Sequence, residues 1–558
     1  MPLTSGKRAF LDVLKQEGVE YMFGNPGTTE LPLMDGLAEE PALTYVLALQ
    51  EAAVVAIADG YAQASGKLGV VSVHVAPGLG NALGMLYDAQ KAASPLLVTA
   101  GQHDQTFNVT EPILWADLPP IARPFVKWSA EVRRLEDLPR LVHRAAKTAL
   151  APPTGPVFLS LPADVLQAEG VVELGAPTRV APRVRGDRAA VEAAAEMLAR
   201  ASRPLILAGD AVAQSDAHAE LVAVAEAIGA PVYAEGVANT ASFPTSHPLF
   251  RGAFARIAPA VRQILSEADV LFSVGGDLLT LSLPSDIDPM PHGLDVIHLD
   301  TDPWELGKNY PTSVAILGDP KATLPDLLAA LESRLTSAKR QHARERLEAV
   351  RAARARNLDE LRARARAEAQ RTPMTSLAAI GAVAEALPRE AVVVDESISS
   401  SGGLRNLIAS DDPQSFFGLR GGGIGWGLPA AIGVQLALPD RPVVGLIGDG
   451  SAMYTCQALW TAARYRLGVT FVILNNSSYR ILKQRTHAMK GHSYQADHYV
   501  AMDLDNPRVD FVRLAESLGV RAERIEKAGD IGPALGRAIA GQGPTLLDVE
   551  LDRSFKPA

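Results

Sequence analysis

Apolar runs that end in short polar turns, with a helical pattern between them, mark the last third of the chain. One run, Val443–Ile447, ends in Gly448–Gly450, and a second, Val469–Leu474, ends in Asn475–Asn476. Between them, small and apolar residues recur at helical spacing over 452–463. This order predicts a strand, a helix and a second, parallel strand. Both turns then fall at the same carboxyl edge of a sheet, where open α/β folds bind ligands.

The same alternation extends through the rest of the chain. Further strands are predicted at residues 21–23, 45–49, 70–75, 96–100, 157–161, 203–209, 231–233, 269–276, 295–299 and 392–394. We predict an α/β fold of three doubly wound domains with mainly parallel sheets, over 1–180, 188–335 and 371–558. The stretch 337–370, rich in Arg, Ala and Glu, predicts an exposed connecting helix.

Composition narrows the possible partners. Of the 558 residues 47% are hydrophobic and 21% are charged, and the formal net charge is −10. There is no dense basic block of the kind that binds nucleic acid, and no apolar run long enough to span a membrane. The single cysteine, Cys456, excludes an intramolecular disulfide, and the N-terminus lacks the apolar core of a signal peptide. We therefore expect a cytoplasmic protein without nucleic-acid or membrane partners.

Oxygen-bearing side chains close both turns of the predicted βαβ unit. Asp449, Asn476 and a nearby backbone carbonyl form a partial cage that suits Mg²⁺, which completes its shell with water and phosphate oxygens. Gly448 and Gly450 let a diphosphate approach the backbone, and the following helix N-terminus favours its negative charge. Taken alone, the tripeptide could equally be an ordinary turn with Asp449 as a helix cap.

The spacing of these two turns carries a resemblance. GDG, then about 24 residues, then NN is similar to the thiamine diphosphate motif. Longer stretches agree: NPGTTELPL (25–33), LALQEAAVVAIADGYAQASGK (47–67) and LPAAIGVQLALPDRPVVGLIGDGSA (428–452). Nearly the whole chain resembles the thiamine diphosphate-dependent 2-keto acid decarboxylase and acetolactate synthase superfamily, and within it the benzoylformate decarboxylase branch.

The resemblance implies catalytic roles for three residues of the first, pyrimidine-binding domain. Glu51 matches the glutamate that activates the aminopyrimidine ring, although a carboxylate at a helix N-terminus can also be purely structural. His74 matches a histidine of the benzoylformate decarboxylases and could donate a proton after carbon dioxide departs. Thr28 matches a hydroxyl residue beside the substrate carboxylate, and a helix cap is the alternative for it.

The resemblance also implies which residues hold the cofactor, which we expect to be thiamine diphosphate with Mg²⁺. Ile398 and Ser399 would face the diphosphate, the Gly422 carbonyl would accept the aminopyrimidine amine, and Ile424 would wedge between the two rings. The complete set of expected cofactor contacts is Glu51, Ile398, Ser399, Gly422, Ile424, Gly448, Asp449, Gly450, Ser451, Asn476, Ser478 and Tyr479. The Ser478 carbonyl would join Asp449 and Asn476 around the metal.

Two segments depart from the benzoylformate decarboxylase pattern. The loop 275–286, GGDLLTLSLPSD, lacks the second active-site histidine of that branch. The segment after Asn476 is expected to line the substrate pocket with Ile481 and Arg485, beside Thr28 and His74. If the Arg485 side chain points into the substrate pocket, we expect the substrate to carry a second anionic or polar group. The alternative is that Arg485 faces solvent. No glycine fingerprint follows a strand of the middle domain, so we expect no FAD there.

These observations lead to a functional hypothesis. The expected reaction is non-oxidative decarboxylation of a 2-keto acid, such as benzoylformate, to an aldehyde, with the cofactor accepting the electrons. A carboligase of the acetolactate synthase kind is the alternative. The resemblance implies active sites built from two subunits, hence a homodimer or homotetramer.

Overall fold

The computed structural model describes residues 3–237 and 239–556, and each of its three domains contains a six-stranded sheet. In the N-terminal domain every strand pair of that sheet is parallel, in the order β3-β2-β4-β5-β7-β6. Its elements are β1 (Thr4–Ser5), α1 (Gly6–Gln16), β2 (Tyr21–Gly24), α2 (Leu31–Leu37), β3 (Thr44–Leu47), α3 (Glu51–Ser65), β4 (Gly69–Val73), α4 (Val75–Lys91), β5 (Leu96–Gln102), α5 (Leu118–Ala122), β6 (Ser129–Glu131), α6 (Leu138–Leu150), β7 (Val157–Pro162), α7 (Ala163–Gln167) and β8 (Glu169–Gly170). Short 3-10 turns occupy Thr28–Glu30, Asn108–Thr110, Arg123–Phe125 and Leu135–Asp137.

The middle domain repeats this plan with strand order β11-β10-β9-β12-β13-β14, again fully parallel. Its elements are α8 (Arg188–Arg200), β9 (Pro204–Ala208), α9 (Asp210–Gln214), α10 (His218–Ile228), β10 (Val232–Ala234), β11 (Phe250–Ala253), α11 (Ala258–Leu265), β12 (Val270–Val274), β13 (Asp295–Asp300), β14 (Val314–Leu317) and α12 (Pro320–Arg334). A 32-residue helix, α13 (Ser337–Glu368), leads to the last domain.

The C-terminal domain has the parallel strand order β16-β15-β17-β18-β20-β19. Its elements are α14 (Ser376–Ala386), β15 (Val392–Glu396), α15 (Leu404–Leu407), β16 (Phe416–Gly418), α16 (Gly427–Ala437), β17 (Val443–Gly448), α17 (Asp449–Ala452), α18 (Ala458–Arg464), β18 (Val469–Asn475), α19 (Arg480–Ala488), α20 (His492–Ala496), α21 (Phe511–Ser517), β19 (Arg521–Ile525), α22 (Ala528–Ala540) and β20 (Thr545–Glu550). The predicted α/β class with parallel sheets is confirmed, and β17 pairs with β18 as expected.

The helix predicted between β17 and β18 is instead two short helices, α17 and α18. The break contains Thr455, whose Oγ1 donates a 2.6 Å hydrogen bond to the Gly425 carbonyl. This contact ties the break to the glycine run 421–425 in front of α16. A bond between positions 30 residues apart leaves no trace in helical periodicity, and this explains the difference.

Helices α3 and α16 pack the N-terminal domain directly against the C-terminal domain. A Cβ added to Gly60 would lie 2.3 Å from the Ala430 carbonyl oxygen, and one added to Gly433 would lie 1.9 Å from that of Ile57. The two helices therefore cross backbone to backbone, which only glycine allows at these positions. Residues of both helices belong to one continuous apolar core. In the described part of the chain, no helix is both long and apolar enough to cross a membrane.

Candidate active site

Glu51 begins α3 at the carboxyl edge of the N-terminal sheet. The preceding Gln50 caps the helix, with its side-chain oxygen accepting a hydrogen bond from the Ala53 N–H at 3.1 Å. The Glu51 carboxylate is only 7% exposed. Asn81 Nδ2 donates to Glu51 Oε2 at 3.0 Å, and Asn25 Nδ2 lies 3.4 Å from Oε1. Two neutral amides and a helix N-terminus thus hold this carboxylate in place.

His74 follows β4 and precedes α4, close to the turn that contains Glu30. Its Nδ1 lies 2.8 Å from Glu30 Oε2 and 3.2 Å from Thr29 Oγ1. The hydrogen bond to Glu30 raises the pKa of His74, against the opposing effect of burial. In the described part of the chain, Nε2 of His74 has no hydrogen-bond partner. The ring is thus oriented by one nitrogen and can use the other for chemistry.

Glu30 is the structural centre of this turn, and its side chain has no exposed surface. Besides His74 it accepts hydrogen bonds from the N–H groups of Gly27, at 2.9 Å, and Gly101, at 2.8 Å. Glu30 was not singled out from the sequence as a site residue. Its spacing of three residues from Gly27 matches a capping box, which was the available signal, but nothing local pointed to His74.

Thr28 and Thr29 occupy different environments at the start of the 3-10 turn. Thr28, the residue chosen from the sequence, is exposed. Thr29 is 5% exposed, and its hydroxyl donates to Glu30 Oε1 at 2.8 Å. Gly27 packs on the imidazole, because a Cβ there would lie 2.2 Å from His74 Cγ. The hydroxyl that meets the histidine within this chain is therefore that of Thr29.

Two buried carboxyl groups accept hydrogen bonds from the backbone of the glycine run 421–425. Gly423 N–H donates to Asp88 Oδ1 at 3.0 Å, and Gly425 N–H donates to Glu396 Oε1 at 2.6 Å. Burial raises the pKa of Asp88 to about 8 and that of Glu396 to about 7. Asp88 is therefore largely protonated at neutral pH. Neither carboxyl group was singled out from the sequence, because each reaches the run from a distant element.

Gly422 is the exposed residue of this run. Gly422 has φ +89, and a Cβ there would meet nothing within 4 Å. Ile424 is half-buried. Asp88 closes the other side, since a Cβ on Gly421 would lie 2.1 Å from its Oδ1. The run thus leaves Gly422, one of the two residues expected to touch a cofactor, facing open space.

The predicted metal ligands meet at the ends of neighbouring strands. Asp449 follows β17 and Asn476 follows β18, and in the sheet Gly448 pairs with Leu474. Asp449 is 4% exposed and its Oδ2 has no hydrogen-bond partner in the described chain. Burial raises the pKa of Asp449 to about 6, although backbone N–H groups including that of Gly450 oppose the shift. A buried, unpartnered carboxylate oxygen is what a bound cation would satisfy.

The remaining expected cofactor contacts surround Asp449. Ser451, Asn476 and Ser478 are 3%, 3% and 5% exposed, and Ser478 Oγ donates to Asn476 Oδ1 at 2.8 Å. A Cβ on Gly450 would lie 2.6 Å from the half-buried Tyr479 ring. Across residues 3–237 and 239–556, no three His, Cys, Asp or Glu side chains cluster as a metal site. The buried Asp449 and Asn476 supply one carboxylate and one amide oxygen, the kind of donor set that Mg²⁺ takes. The residues present therefore fit a Mg²⁺–diphosphate group.

At this edge of the sheet, Arg480 connects the segment after β18 with the segment after β15. It is 7% exposed, and its Nη2 donates to the Ser399 carbonyl at 3.0 Å and to Ser400 Oγ at 2.8 Å. Ser399 and Ile398 follow β15, and Ile398 has φ 48. Lys483, a second basic residue of α19, is also buried and forms an ion pair with Asp503.

Arg485 lies on the other face of α19. Arg480 and Lys483 face the domain, whereas Arg485 and Ile481 are half-buried and Leu482 is 46% exposed. Within the described residues Arg485 has no ion pair. This face is available for contact with a substrate or another surface.

Comparison with known proteins agrees with this geometry. Three family models match in order: the N-terminal binding domain of thiamine pyrophosphate enzymes over 4–113, their central domain over 191–327 and their C-terminal binding domain over 399–549. Benzoylformate decarboxylase of Pseudomonas aeruginosa is 34% identical, covering 97% of this chain and 98% of its own length. Acetolactate synthase isozyme 3 large subunit of Escherichia coli is 29% identical, covering 99% and 96%.

Solved structures give the same result. A thiamine diphosphate-dependent 4-hydroxybenzoylformate decarboxylase of Rhodococcus jostii superposes with a TM-score of 0.85 and 30% identity, covering 99% of this chain and all of the other. Benzoylformate decarboxylase of Polynucleobacter necessarius gives 0.87 and 29%, with the same coverage. The three domains, the shared carboxyl edge of β17 and β18 and these full-length similarities identify the chain as a member of the thiamine pyrophosphate enzyme family, related to both benzoylformate decarboxylases and acetolactate synthases.

Proposed function

We propose that this protein is a lyase that uses thiamine diphosphate and Mg²⁺ to decarboxylate a benzoylformate-like 2-keto acid to an aldehyde. One observation carries the proposal. A single turn supports both catalytic side chains: Asn25 contacts Glu51, and Glu30 holds His74 at 2.8 Å. The family relationship supplies the cofactor class, and His74 favours the decarboxylase branch.

The C-terminal edge is proposed to hold the metal and the diphosphate. Asp449, Asn476 and the Ser478 carbonyl would bind Mg²⁺, which in proteins usually takes few carboxylates. The unpartnered Asp449 Oδ2 supports this assignment. Ile398, Ser399, Gly448, Gly450, Ser451 and Tyr479 would surround the diphosphate, and Gly422 and Ile424 the aminopyrimidine. When bound, thiamine diphosphate supplies the electron sink that lets carbon dioxide leave.

The chain's own residues would manage protons around that centre. Glu51 is proposed to hydrogen-bond the aminopyrimidine and so to activate the cofactor. His74, oriented through Nδ1, would donate a proton from Nε2 during product formation. Thr28, or the better buried Thr29, would lie beside the substrate carboxylate; Thr29 is supported by its contact with the imidazole at 3.2 Å.

The substrate pocket is proposed to include one face of α19, with Ile481 and Arg485 beside His74. Ile481 and Leu482 offer apolar contact for an aromatic or branched side chain. Arg485, which has no ion pair within the described residues, would favour a substrate with a polar or anionic substituent at the far end. A preference for such a substituent would distinguish this pocket from a purely apolar one.

A second copy of the chain is proposed to complete the site. Large apolar side chains flank both parts of it: Leu49, beside Glu51, is 43% exposed, and Met453 and Tyr454, beside α17, are 40% and 55% exposed. Exposed apolar residues that cluster around a functional site support an interface. We propose a homodimer or homotetramer.

A carboligase of the acetolactate synthase kind is the second candidate. The loop 275–286 has no histidine, so the proton relay that would favour aldehyde release is incomplete on that side. Without a proton donor in this loop, the chain would have less means of favouring release of an aldehyde over addition of a second keto acid. The lack of a histidine in this loop is the specific observation that supports the carboligase.

The deciding experiment is incubation of the purified protein, with thiamine diphosphate and Mg²⁺, with benzoylformate, its ring-substituted analogues and pyruvate. Carbon dioxide, aldehyde and acetolactate are measured together. We expect carbon dioxide and the matching aldehyde in equal amounts from an aromatic 2-keto acid. Acetolactate from pyruvate would favour the carboligase instead, and His74→Ala should affect the two outcomes differently.

A further inference from the structure

Arg420 is the residue immediately before the glycine run 421–425, and its side chain reaches into the middle domain. The guanidinium group is only 12% exposed. Nη1 donates to the Val237 carbonyl at 2.9 Å, Nε lies 3.5 Å from Asp210 Oδ2, and Nη2 lies 3.2 Å from Asp277 Oδ2. All three partners belong to the middle domain, so this contact crosses between domains.

The partners of Arg420 are themselves fixed. Asp210, at the start of α9, accepts hydrogen bonds from the N–H groups of Asn239 and Thr240 at 2.9 and 3.0 Å. The Asn239 carbonyl in turn accepts a 2.7 Å hydrogen bond from the N–H of Gly418, at the end of β16. The middle domain thus contacts the chain on both sides of Leu419, at Gly418 and at Arg420, directly before the glycine run.

Asp277 brings in the loop that departs from the benzoylformate decarboxylase pattern. It follows Gly275–Gly276, its side chain is 17% exposed, and Thr280 donates a hydrogen bond to its Oδ2. Burial would raise the pKa of Asp277, but hydrogen bonding to Glu235 and the charge of Arg420 lower it to about 2. Asp277 is therefore an anion at neutral pH, and Arg420 is its cationic partner.

Glu235 contacts Asp277 and so supports the ion pair between Asp277 and Arg420. It is 3% exposed, and burial together with the neighbouring Asp277 charge raises its pKa well above the ordinary value. Its Oε2 accepts the Asp277 N–H at 3.2 Å. A raised pKa of Glu235 disfavours a further buried negative charge beside Asp210 and Asp277.

The glycine run has no side chain except that of Ile424, so its path depends on contacts of its backbone and of its flanking residues. Its middle is held by the hydrogen bond from Gly423 to Asp88. The far end is held by Glu396 through Gly425 and Gly427. We propose that Arg420 is a positioning residue through which the middle-domain loop 275–286, by way of Asp277, fixes the glycine run that receives the aminopyrimidine of the cofactor. This inference rests on the proposed cofactor. It gives the loop a role in place of the missing histidine.

The test compares Arg420→Met, Arg420→Lys and Asp277→Asn with Arg354→Met. Arg354 is a matched control, because it is 9% exposed and also joins different parts of the chain, donating from α13 to the Phe250 carbonyl at 2.9 Å. Thiamine diphosphate affinity is measured in the presence of Mg²⁺ by intrinsic tryptophan fluorescence, to which Trp426 contributes, since it is 1% exposed and adjoins the run. Hydrogen exchange of peptides covering 419–427 is measured in the protein without cofactor.

We expect Arg420→Met to weaken cofactor affinity, to accelerate exchange of the run, and to lower kcat by roughly tenfold to a hundredfold. KM for the keto acid should stay within about twofold, since no substrate contact is lost. Arg420→Lys should restore part of the affinity, because it keeps the charge but not the planar fork. Asp277→Asn should show the same pattern, less strongly.

Equal cofactor affinity and equal exchange of the run in Arg420→Met and Arg354→Met would overturn the proposal and leave Arg420 as a simple clamp between domains. If Arg420→Met does not fold, Asp277→Asn and Arg420→Lys decide by the same two readouts. Absence of thiamine diphosphate binding by the unmodified protein would instead refute the proposed cofactor. In that case the exchange measurement still tests whether Asp277 and Arg420 fix the run.

Discussion

The Nδ1 atom of His74 lies 2.8 Å from Oε2 of Glu30, a carboxylate with no exposed surface. This hydrogen bond raises the pKa of His74. It therefore contributes stability that is fully present below the ordinary histidine value of about 6.5 and is lost as the pH rises through the folded value. The same bond holds the imidazole in the orientation that a proton donor needs.

Glu30→Gln should lower the pKa of His74 and move the alkaline limb of kcat/KM to lower pH. The reason is that a neutral amide no longer favours the imidazolium form. The pH–rate profile is the measurement, and Thr29→Val is the control, because it removes the 3.2 Å contact but keeps the charge. An unchanged alkaline limb in Glu30→Gln would show that His74 is not the titrating donor.

Glu51→Ala should abolish turnover while thiamine diphosphate stays bound. Glu51 is proposed to activate the aminopyrimidine, a role typically worth about a hundredfold or more in rate, whereas the diphosphate is proposed to be held by the other domain. Turnover and cofactor content are measured on the same preparation. Asn81→Ala, which removes only the 3.0 Å hydrogen bond to Glu51, should have a smaller effect. Full activity in Glu51→Ala would contradict the mechanism.

Cofactor loading should depend on pH through Asp449. Burial raises the pKa of Asp449 to about 6, and a proton on this carboxyl competes with Mg²⁺. Mg²⁺ affinity in the presence of thiamine diphosphate should therefore increase from pH 5 to pH 7 and then level off. Asp449→Asn should weaken binding and remove this pH dependence. Titration calorimetry gives both quantities, and a binding curve independent of pH would refute Asp449 as a ligand.

Gly60→Ala should destabilise the protein, because the new methyl group would lie 2.3 Å from the Ala430 carbonyl oxygen. Forcing α3 and α16 apart should cost about 1–3 kcal/mol. Gly536→Ala in α22 is the matched control: a Cβ there meets nothing within 4 Å, and alanine in an open helical position stabilises by up to about 1 kcal/mol. Thermal unfolding should therefore move in opposite directions for the two variants. A shift of the same sign would contradict the close crossing.

Arg485→Met should change substrate preference more than overall activity. If Arg485 meets the distal group of the substrate, its removal should raise KM for keto acids with an acidic or polar substituent by roughly tenfold, the loss of one charge-assisted hydrogen bond. KM for benzoylformate itself should change little. The same KM ratio in both proteins would show that Arg485 faces solvent.

The predicted strands could be recognised because each is a short apolar run that ends in a polar turn. Several other strands, among them β6, β11, β14, β16, β19 and β20, were not predicted. The run 443–447 became β17 and 469–474 became β18, each extended by one residue. Asp449 and Asn476 could be paired for the same reason: parallel neighbouring strands bring their carboxyl ends together. Glu51 does lie at a helix N-terminus, as the sequence allowed, because it is the first residue of α3.

The supporting residues were not predictable, because their roles depend on partners far along the chain. Glu30 acts through His74, 44 residues away, and Asp88 acts through Gly423, 335 residues away. No local pattern records such a contact, so Asp88 looks like any polar residue of an amphipathic helix. Arg420 likewise could not be recognised from the sequence, because its partners lie in the middle domain.

The close crossing of α3 and α16 also bears on how the protein is made. Nearly every side chain of α3 is buried, and part of that cover comes from α16, which begins about 360 residues later. At roughly 5–20 residues per second, a ribosome needs about 20–70 s to synthesise that interval. During this time the N-terminal domain carries an uncovered apolar helix. We therefore expect the isolated N-terminal fragment to aggregate, and the nascent chain to depend on chaperones until the last domain emerges.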